Sequence, residues 1–212
     1  KGQMLHTGYW PEGVELKGKR VGVIGTGSTG VQVITATAPI AGHLTVFQRS
    51  PQYVVPIGNT PQDEATIAQQ KANYDDIWKQ VKSSVVAFGF EESTVPAETA
   101  SPEERERVFE AAWQRGGGFY FMFGTFCDIA TSQMSNDAAA DFIKKKIKEI
   151  VKDPATAKAL TPRDIYAKRP LCGNNYYEVY NRPNVTLADV KSDPIAEFTA
   201  TGIRLESGAE HE

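Results

Sequence analysis

Apolar positions along this chain change period twice. The run Val21-Gly22-Val23-Ile24 is continuous and short, which predicts a buried parallel strand. Gly25-Thr26-Gly27-Ser28-Thr29-Gly30 follows at once, then a helical stretch from Val31 to Ala38 that Pro39 stops. A second apolar run, Leu44 to Phe47, closes a strand–turn–helix–strand unit. After Ser50 this rhythm ends, and Pro51 to Asn59 reads as loop. Thr60-Pro61-Gln62-Asp63 is a helix start, with a capping hydroxyl, a Pro and an acid in order. Ile67, Tyr74, Ile77, Trp78, Val81 and Val85 then recur at helical spacing, a stripe expected to be core. Ser101-Pro102-Glu103-Glu104 opens a second helix with capping-box spacing, expected to end at Gln114 or Arg115. Gly116-Gly117-Gly118 breaks it, and the aromatic stretch Phe119 to Phe126 is expected to fill a core. Asp137 to Lys152 is a third helix, with Ile143, Ile147, Ile150 and Val151 inward and Lys144, Lys145, Lys146 and Lys148 solvated. Asp153-Pro154 ends it and caps a short helix to Leu160.

The α/β pattern then returns. Val185 to Leu187 reads as a third sheet strand, and Ile195–Thr199 with Gly202–Leu205 as a small β-hairpin. The expected fold is α/β: a Rossmann-like nucleotide domain with a parallel sheet, a small β-hairpin and a helical insertion. The domain is discontinuous, residues 1–60 and 162–212, and the insertion is 61–161, the length of a small domain. Thr201 to Gly208 reads as a strand entering a turn with its partner missing, and residue 1 is Lys; the chain is therefore expected to be part of a longer protein.

Composition narrows the function little. A hydrophobic share of 41% suits a globular core, and a net charge of −3 offers no electrostatic footprint for nucleic acid. Cys127 and Cys172 lie far apart and are expected to be buried free thiols of a reducing compartment. His6, His43 and His211 are too scattered for a metal cluster, so no metal site is expected. No signal peptide or membrane-length apolar run is visible, and cytoplasmic residence without a membrane partner is the default expectation.

The glycine turn carries the chemistry. A glycine pattern alone is a weak signal, but this one leaves a strand and opens a helix, the context of a dinucleotide-binding fingerprint. Gly25 allows the tight turn, Gly27 lets backbone approach a pyrophosphate, and Gly30 lets helix and strand pack closely. The helix N-terminus offers N–H groups to phosphate, with Thr26, Ser28, Thr29 and Gln32 as polar neighbours. The second strand ends Phe47-Gln48-Arg49-Ser50, where an NAD site carries a carboxylate. Arg49 can grip a 2′-phosphate that a carboxylate would repel, so the cofactor is read as NADP(H), with Ser50 beside it. The bland alternative is a tight turn followed by a surface cation. Lys168-Arg169-Pro170 brings two further cations back to the nucleotide domain.

Gly2, His6, Trp10 and Pro11 fall in register on a pattern that resembles the Baeyer–Villiger monooxygenase fingerprint F-x-G-x-x-x-H-x-x-x-W-P, whose leading Phe would precede Lys1. The resemblance extends through the glycine turn, Phe47-Gln48-Arg49-Ser50 and Lys168-Arg169-Pro170-Leu171-Cys172, and so covers nearly the whole chain. It implies an enzyme that turns ketones into esters or lactones with NADPH, O2 and FAD. It implies that Lys168 helps hold the 2′-phosphate, that Arg169 is the catalytic arginine, and that the helical insertion shapes substrate access. It also implies an FAD-binding domain of the same parent chain, because a second glycine fingerprint is absent here; the 212 residues alone are expected to bind NADP(H) and catalyse nothing. Trp10-Pro11 sets the chain apart from the heteroatom-oxidising flavin monooxygenases, the runner-up. A non-catalytic NADP-binding module is the alternative of another class. A simple dehydrogenase lacks a recognisable Tyr-Lys or His pair.

Overall fold

The computed structural model describes residues 2–166 and 168–212; Lys1, and Ala167 within the Tyr166–Pro170 segment, lie outside the described residues. In chain order the elements are β1 (Arg20–Ile24), α1 (Ser28–Thr37), β2 (His43–Gln48), β3 (Val54–Val55), α2 (Glu64–Ala72), α3 (Tyr74–Ser83), α4 (Pro102–Arg115), α5 (Gln133–Ile150) and α6 (Pro154–Leu160). They are followed by β4 (Leu171–Cys172), β5 (Val185–Asp189), β6 (Ile195–Phe198), β7 (Ile203–Leu205) and β8 (Glu210–His211). The chain divides into two compact units, Lys1–Gln52 with Lys146–Arg163 and Asn175–Glu212, and Tyr53–Lys145 with Asp164–Asn174.

The first unit is built on a parallel sheet in the order β1-β2-β5. Ile24 pairs with Phe47 and Phe47 with Ala188, so the C-terminal ends of all three strands lie together. β2 is central and almost wholly buried. β1 departs from the expected buried strand: it alternates between half-buried and exposed, and Ile24 is 55% exposed. Its continuous apolar run carries no information about which neighbours cover it, and within the described sheet it pairs with β2 alone. α1 covers the sheet with Val31, Ile34 and Ala38, and starts earlier than the apolar pattern indicated because Ser28 and Thr29 already have helical backbone. Asn184 closes the other end of α1: its Nδ2 donates to the carbonyls of Ala38 at 3.0 Å and Ala41 at 2.9 Å. Phe47, Ala188 and Leu205 form a cluster joined by Val190, Ile195 and Ile203, which seats the small sheet on the parallel one. That sheet has three strands, not a hairpin. β7 pairs with β6 and also with β8, so the partner expected to be missing is present at Glu210–His211.

The second unit has an aromatic core. Phe109 lies 5.3 Å from Phe121, 5.3 Å from Phe126 and 5.5 Å from Phe142, ring centre to ring centre. Phe121, Met122 and Phe126 are buried as expected, with Tyr120–Gly124 forming a turn of π-helix. α4 and α6 begin at their expected caps, Ser101 accepting from Glu104 N–H and Asp153 from Thr156 N–H. α2 starts later than its hydroxyl–Pro signal, because Asp63 rather than Thr60 is the cap, accepting from Thr66 N–H at 2.7 Å. The apolar stripe over α2 and α3 is not core. Neither helix contains a buried residue, Trp78 is 52% exposed and Val85, just beyond, 93%. Helical spacing reports an apolar face but not what covers it. Cys127 is exposed and Cys172 half-buried; both thiols are free as expected, but neither is buried.

Gly25 has φ +101°, the left-handed region that favours glycine, and turns the chain straight from β1 toward α1. A Cβ at Gly30 would run into the Gly25 carbonyl, whereas one at Gly27 would meet nothing. Gly30→Ala is therefore expected to lower stability by about 1–3 kcal/mol and Gly27→Ala to leave it unchanged, as read by thermal unfolding. Phe109→Ala is expected to cost about 3–5 kcal/mol in denaturant unfolding, against less than about 0.5 kcal/mol for Ile67→Ala.

Candidate functional site

The first unit gathers the glycine turn and Arg49. Because Ile24 pairs with Phe47, the chain leaves β1 and β2 at neighbouring points, and Gly25 N–H donates to Phe47 O at 3.0 Å. Gly27 is the N-cap of α1, makes no side-chain capping bond, and accepts the helix's opening bond from Val31 N–H at 2.9 Å. The N–H groups of Ser28, Thr29 and Gly30 thus have no partner within the helix, and no acid lies in its first turn. This is the arrangement that favours an anion. Gly27, Ser28, Thr29, Gln32 and Arg49 are exposed, and Ser50 is half-buried. Thr26 differs from its neighbours. It is 4% exposed, and its hydroxyl donates to Ser50 O at 2.9 Å instead of facing solvent.

Lys168 and Arg169 belong to the second unit. Lys168 Nζ pairs with Asp164 Oδ2 at 2.7 Å, an exposed pair four residues apart. Arg169 is exposed, its guanidinium carbon 6.0 Å from the Phe119 ring centre, the outer limit of a cation–π contact. Phe119 stacks in turn on Phe88 at 4.0 Å. The segment is fastened on both sides. Upstream, Asn136 Oδ1 accepts from Tyr166 N–H at 2.9 Å while its Nδ2 donates to Tyr166 O at 2.7 Å. Downstream, β4 pairs in parallel with β3, and Gly118 N–H donates to Cys172 Sγ at 3.0 Å.

His6 and Tyr9 face each other across a tight turn, with Tyr9 N–H donating to His6 O at 2.8 Å and Gly8 N–H to His6 Nδ1 at 3.2 Å; Trp10 is exposed. Among the described residues no group of His, Cys, Asp or Glu could hold a metal ion, and no helix is long and apolar enough to cross a membrane.

The polar clamps are the residues that sequence reasoning missed. Asn136 is 5% exposed and had a legible signal: it continues the inward stripe of Ala140, Ile143 and Ile147, where a polar residue needs partners. Asn184 and the buried Gln48, whose Nε2 donates to Ala159 O at 2.9 Å, join residues far apart in the chain and had no local signal.

No protein-family profile matches the chain. A curated Baeyer–Villiger monooxygenase from Pseudooceanicola batsensis is 85% identical over all 212 residues, and the chain spans 39% of its length. Cyclohexanone monooxygenase from Rhodococcus sp. Phi1, solved bound to NADP+, superimposes with a TM-score of 0.97 at 61% identity over 100% of the chain and 40% of that structure. Phenazine N-monooxygenase from Lysobacter antibioticus is 56% identical over 100% of the chain and 39% of its own length. Fold, glycine turn and sequence thus agree along the whole chain, which is similar over its full length to Baeyer–Villiger monooxygenases and spans about 40% of theirs.

Proposed function

We propose that this chain is the NADP(H)-binding part of a flavin-dependent Baeyer–Villiger monooxygenase that converts ketones to esters or lactones with NADPH and O2. The observation that carries the reading is the open glycine turn at the start of α1, with the cation Arg49 next to it at the end of β2 and no carboxylate there. Those residues fit NADP(H). The free N–H groups of the first turn of α1 would take the pyrophosphate, with Ser28, Thr29 and Gln32 lining it, and Gly27 leaves the approach clear. Arg49 and Ser50 would take the 2′-phosphate, and Lys168 would leave its exposed pairing with Asp164 to share it. When bound, NADPH supplies hydride and FAD, held by the rest of the enzyme, supplies the reaction with O2. Arg169 would stabilise the negative charge that develops on oxygen. A nucleotide domain of 1–60 and 162–212, a helical insertion of 61–161 and cytoplasmic residence go with this reading.

Oxidation of a ring nitrogen is the second reading, favoured by the 56% identity to a phenazine N-monooxygenase. Trp10-Pro11 favours the ketone. Supplying the complete protein with NADPH, O2 and either cyclic ketones or N-heteroarenes separates the two. Lactone is the expected product, and N-oxide without lactone overturns the ketone reading.

Arg49→Ala is expected to weaken NADP+ binding by about 1.5–3 kcal/mol and to leave NAD+ nearly untouched, measured by titration at fixed salt. In the complete protein, Lys168→Ala is expected mainly to raise KM for NADPH. Arg169→Ala is expected to keep NADPH binding and lose on the order of 100–1000-fold in ester formation, read by product analysis.

A further inference from the structure

Ser50 follows Arg49 where the chain leaves β2, so whatever holds the Ser50 backbone also limits where the Arg49 guanidinium can reach. The Ser50 carbonyl accepts the Thr26 hydroxyl at 2.9 Å and, more weakly, Gln52 Nε2 at 3.4 Å. The ends of this segment are fastened elsewhere in the same unit. Gln48 Nε2 donates to Ala159 O at 2.9 Å, and the Tyr177 hydroxyl to Gln52 O at 3.1 Å. Among the described side-chain bonds, the one from Thr26 ties the middle of the segment to the glycine turn. At 4% exposure Thr26 has little access to water, so the bond is sheltered from competition.

The pyrophosphate and the 2′-phosphate are carried by one ribose, a short linkage that bounds how far apart they can lie. A protein that grips both must hold its two anion sites at a set separation. Backbone N–H groups on a helix end tolerate small displacements, but a guanidinium fork meets phosphate in one plane and loses its second bond when shifted. We propose that Thr26 is a positioning residue for cofactor discrimination: its hydroxyl holds Ser50, and through it Arg49, at the distance from the glycine turn that a 2′-phosphorylated dinucleotide requires. The inference rests on the NADP(H) reading above. It gives Thr26 a task different from that of exposed Ser28 and Thr29, although all three share one turn.

The test measures affinities for NADP+ and NAD+ on the complete protein, for wild type, Thr26→Val, Thr26→Ser, Arg49→Ala and Thr26→Val with Arg49→Ala. Thr26→Val keeps the shape and removes the donor. It is expected to lower the NADP+ to NAD+ affinity ratio by about three- to tenfold, the worth of one net hydrogen bond, with NAD+ affinity little changed. Thr26→Ser restores the ratio. In the Arg49→Ala background Thr26→Val moves the ratio no further, since the group it positions is gone. Thr26→Ala, measured as well, removes the same donor with a smaller side chain and must shift the ratio the same way. A merely structural role would weaken both cofactors alike, and equal losses overturn the proposal. An unmoved ratio, or a loss that persists without Arg49, overturns it too. A wild type with no preference for NADP+ overturns the NADP(H) reading and this inference with it, whereas a preference that Arg49→Ala leaves undiminished removes Arg49 as the discriminating group and overturns this inference alone. A normal preference that Arg49→Ala abolishes and Thr26→Val leaves intact overturns the role of Thr26 alone.

Discussion

The parallel pairing of β1 with β2 is the constraint from which the nucleotide site follows. Its last rung sets Ile24 beside Phe47, and the bond from Gly25 N–H to Phe47 O carries the contact one residue further. Two segments about twenty residues apart then leave the sheet side by side. One is a glycine turn with a helix N-terminus, and the other carries a cation. A register slip of one residue would reverse the faces of every β2 side chain and take Phe47 out of its cluster with Ala188 and Leu205. The sheet, with β2 buried at its centre, thus holds the site in place although most of the site's own side chains are exposed.

Chain outside helices and strands is held by a few buried or half-buried polar side chains. Asn136 binds both backbone groups of Tyr166, Asn184 closes the end of α1, and Thr26 and Gln48 fasten the segment after β2. Each gives a partner to backbone groups, which are costly to leave buried and unsatisfied. Asn136 on one side, and Thr26 with Gln48 on the other, also restrict segments that carry charged residues, Lys168 and Arg169 in the first case and Arg49 in the second. Preorganisation of this kind matters most for Arg, whose planar fork needs a fixed approach to its anion.

α2 and α3 show the opposite balance. Tyr74, Ile77, Trp78 and Val81 lie on one face of α3, yet no residue of either helix is buried. Their charged contacts are exposed, such as the pair of Lys79 with Asp76 at 2.8 Å, and such pairs contribute little to stability. A helix pair so lightly held opens at lower free energy than the aromatic core around Phe109.

Elements whose cause is local were legible in the residues alone. The caps at Ser101 and Asp153, the turn at Gly25 and the end of α1 at Pro39 each depend on neighbours in the chain, and each was placed to within a few residues. The glycine spacing and the absence of a carboxylate after β2 also sufficed to point to NADP(H) as the cofactor class. What depends on distant partners was decided by the tertiary structure. It left Ile24 and Trp78 exposed, paired β7 with β8, and turned the Thr26 hydroxyl inward to Ser50 while Ser28 and Thr29 remained outside. Periodicity records that a side chain is apolar or polar and on which face it falls. Burial and hydrogen bonding depend on which other segment arrives at that face, and that is a property of the packed chain.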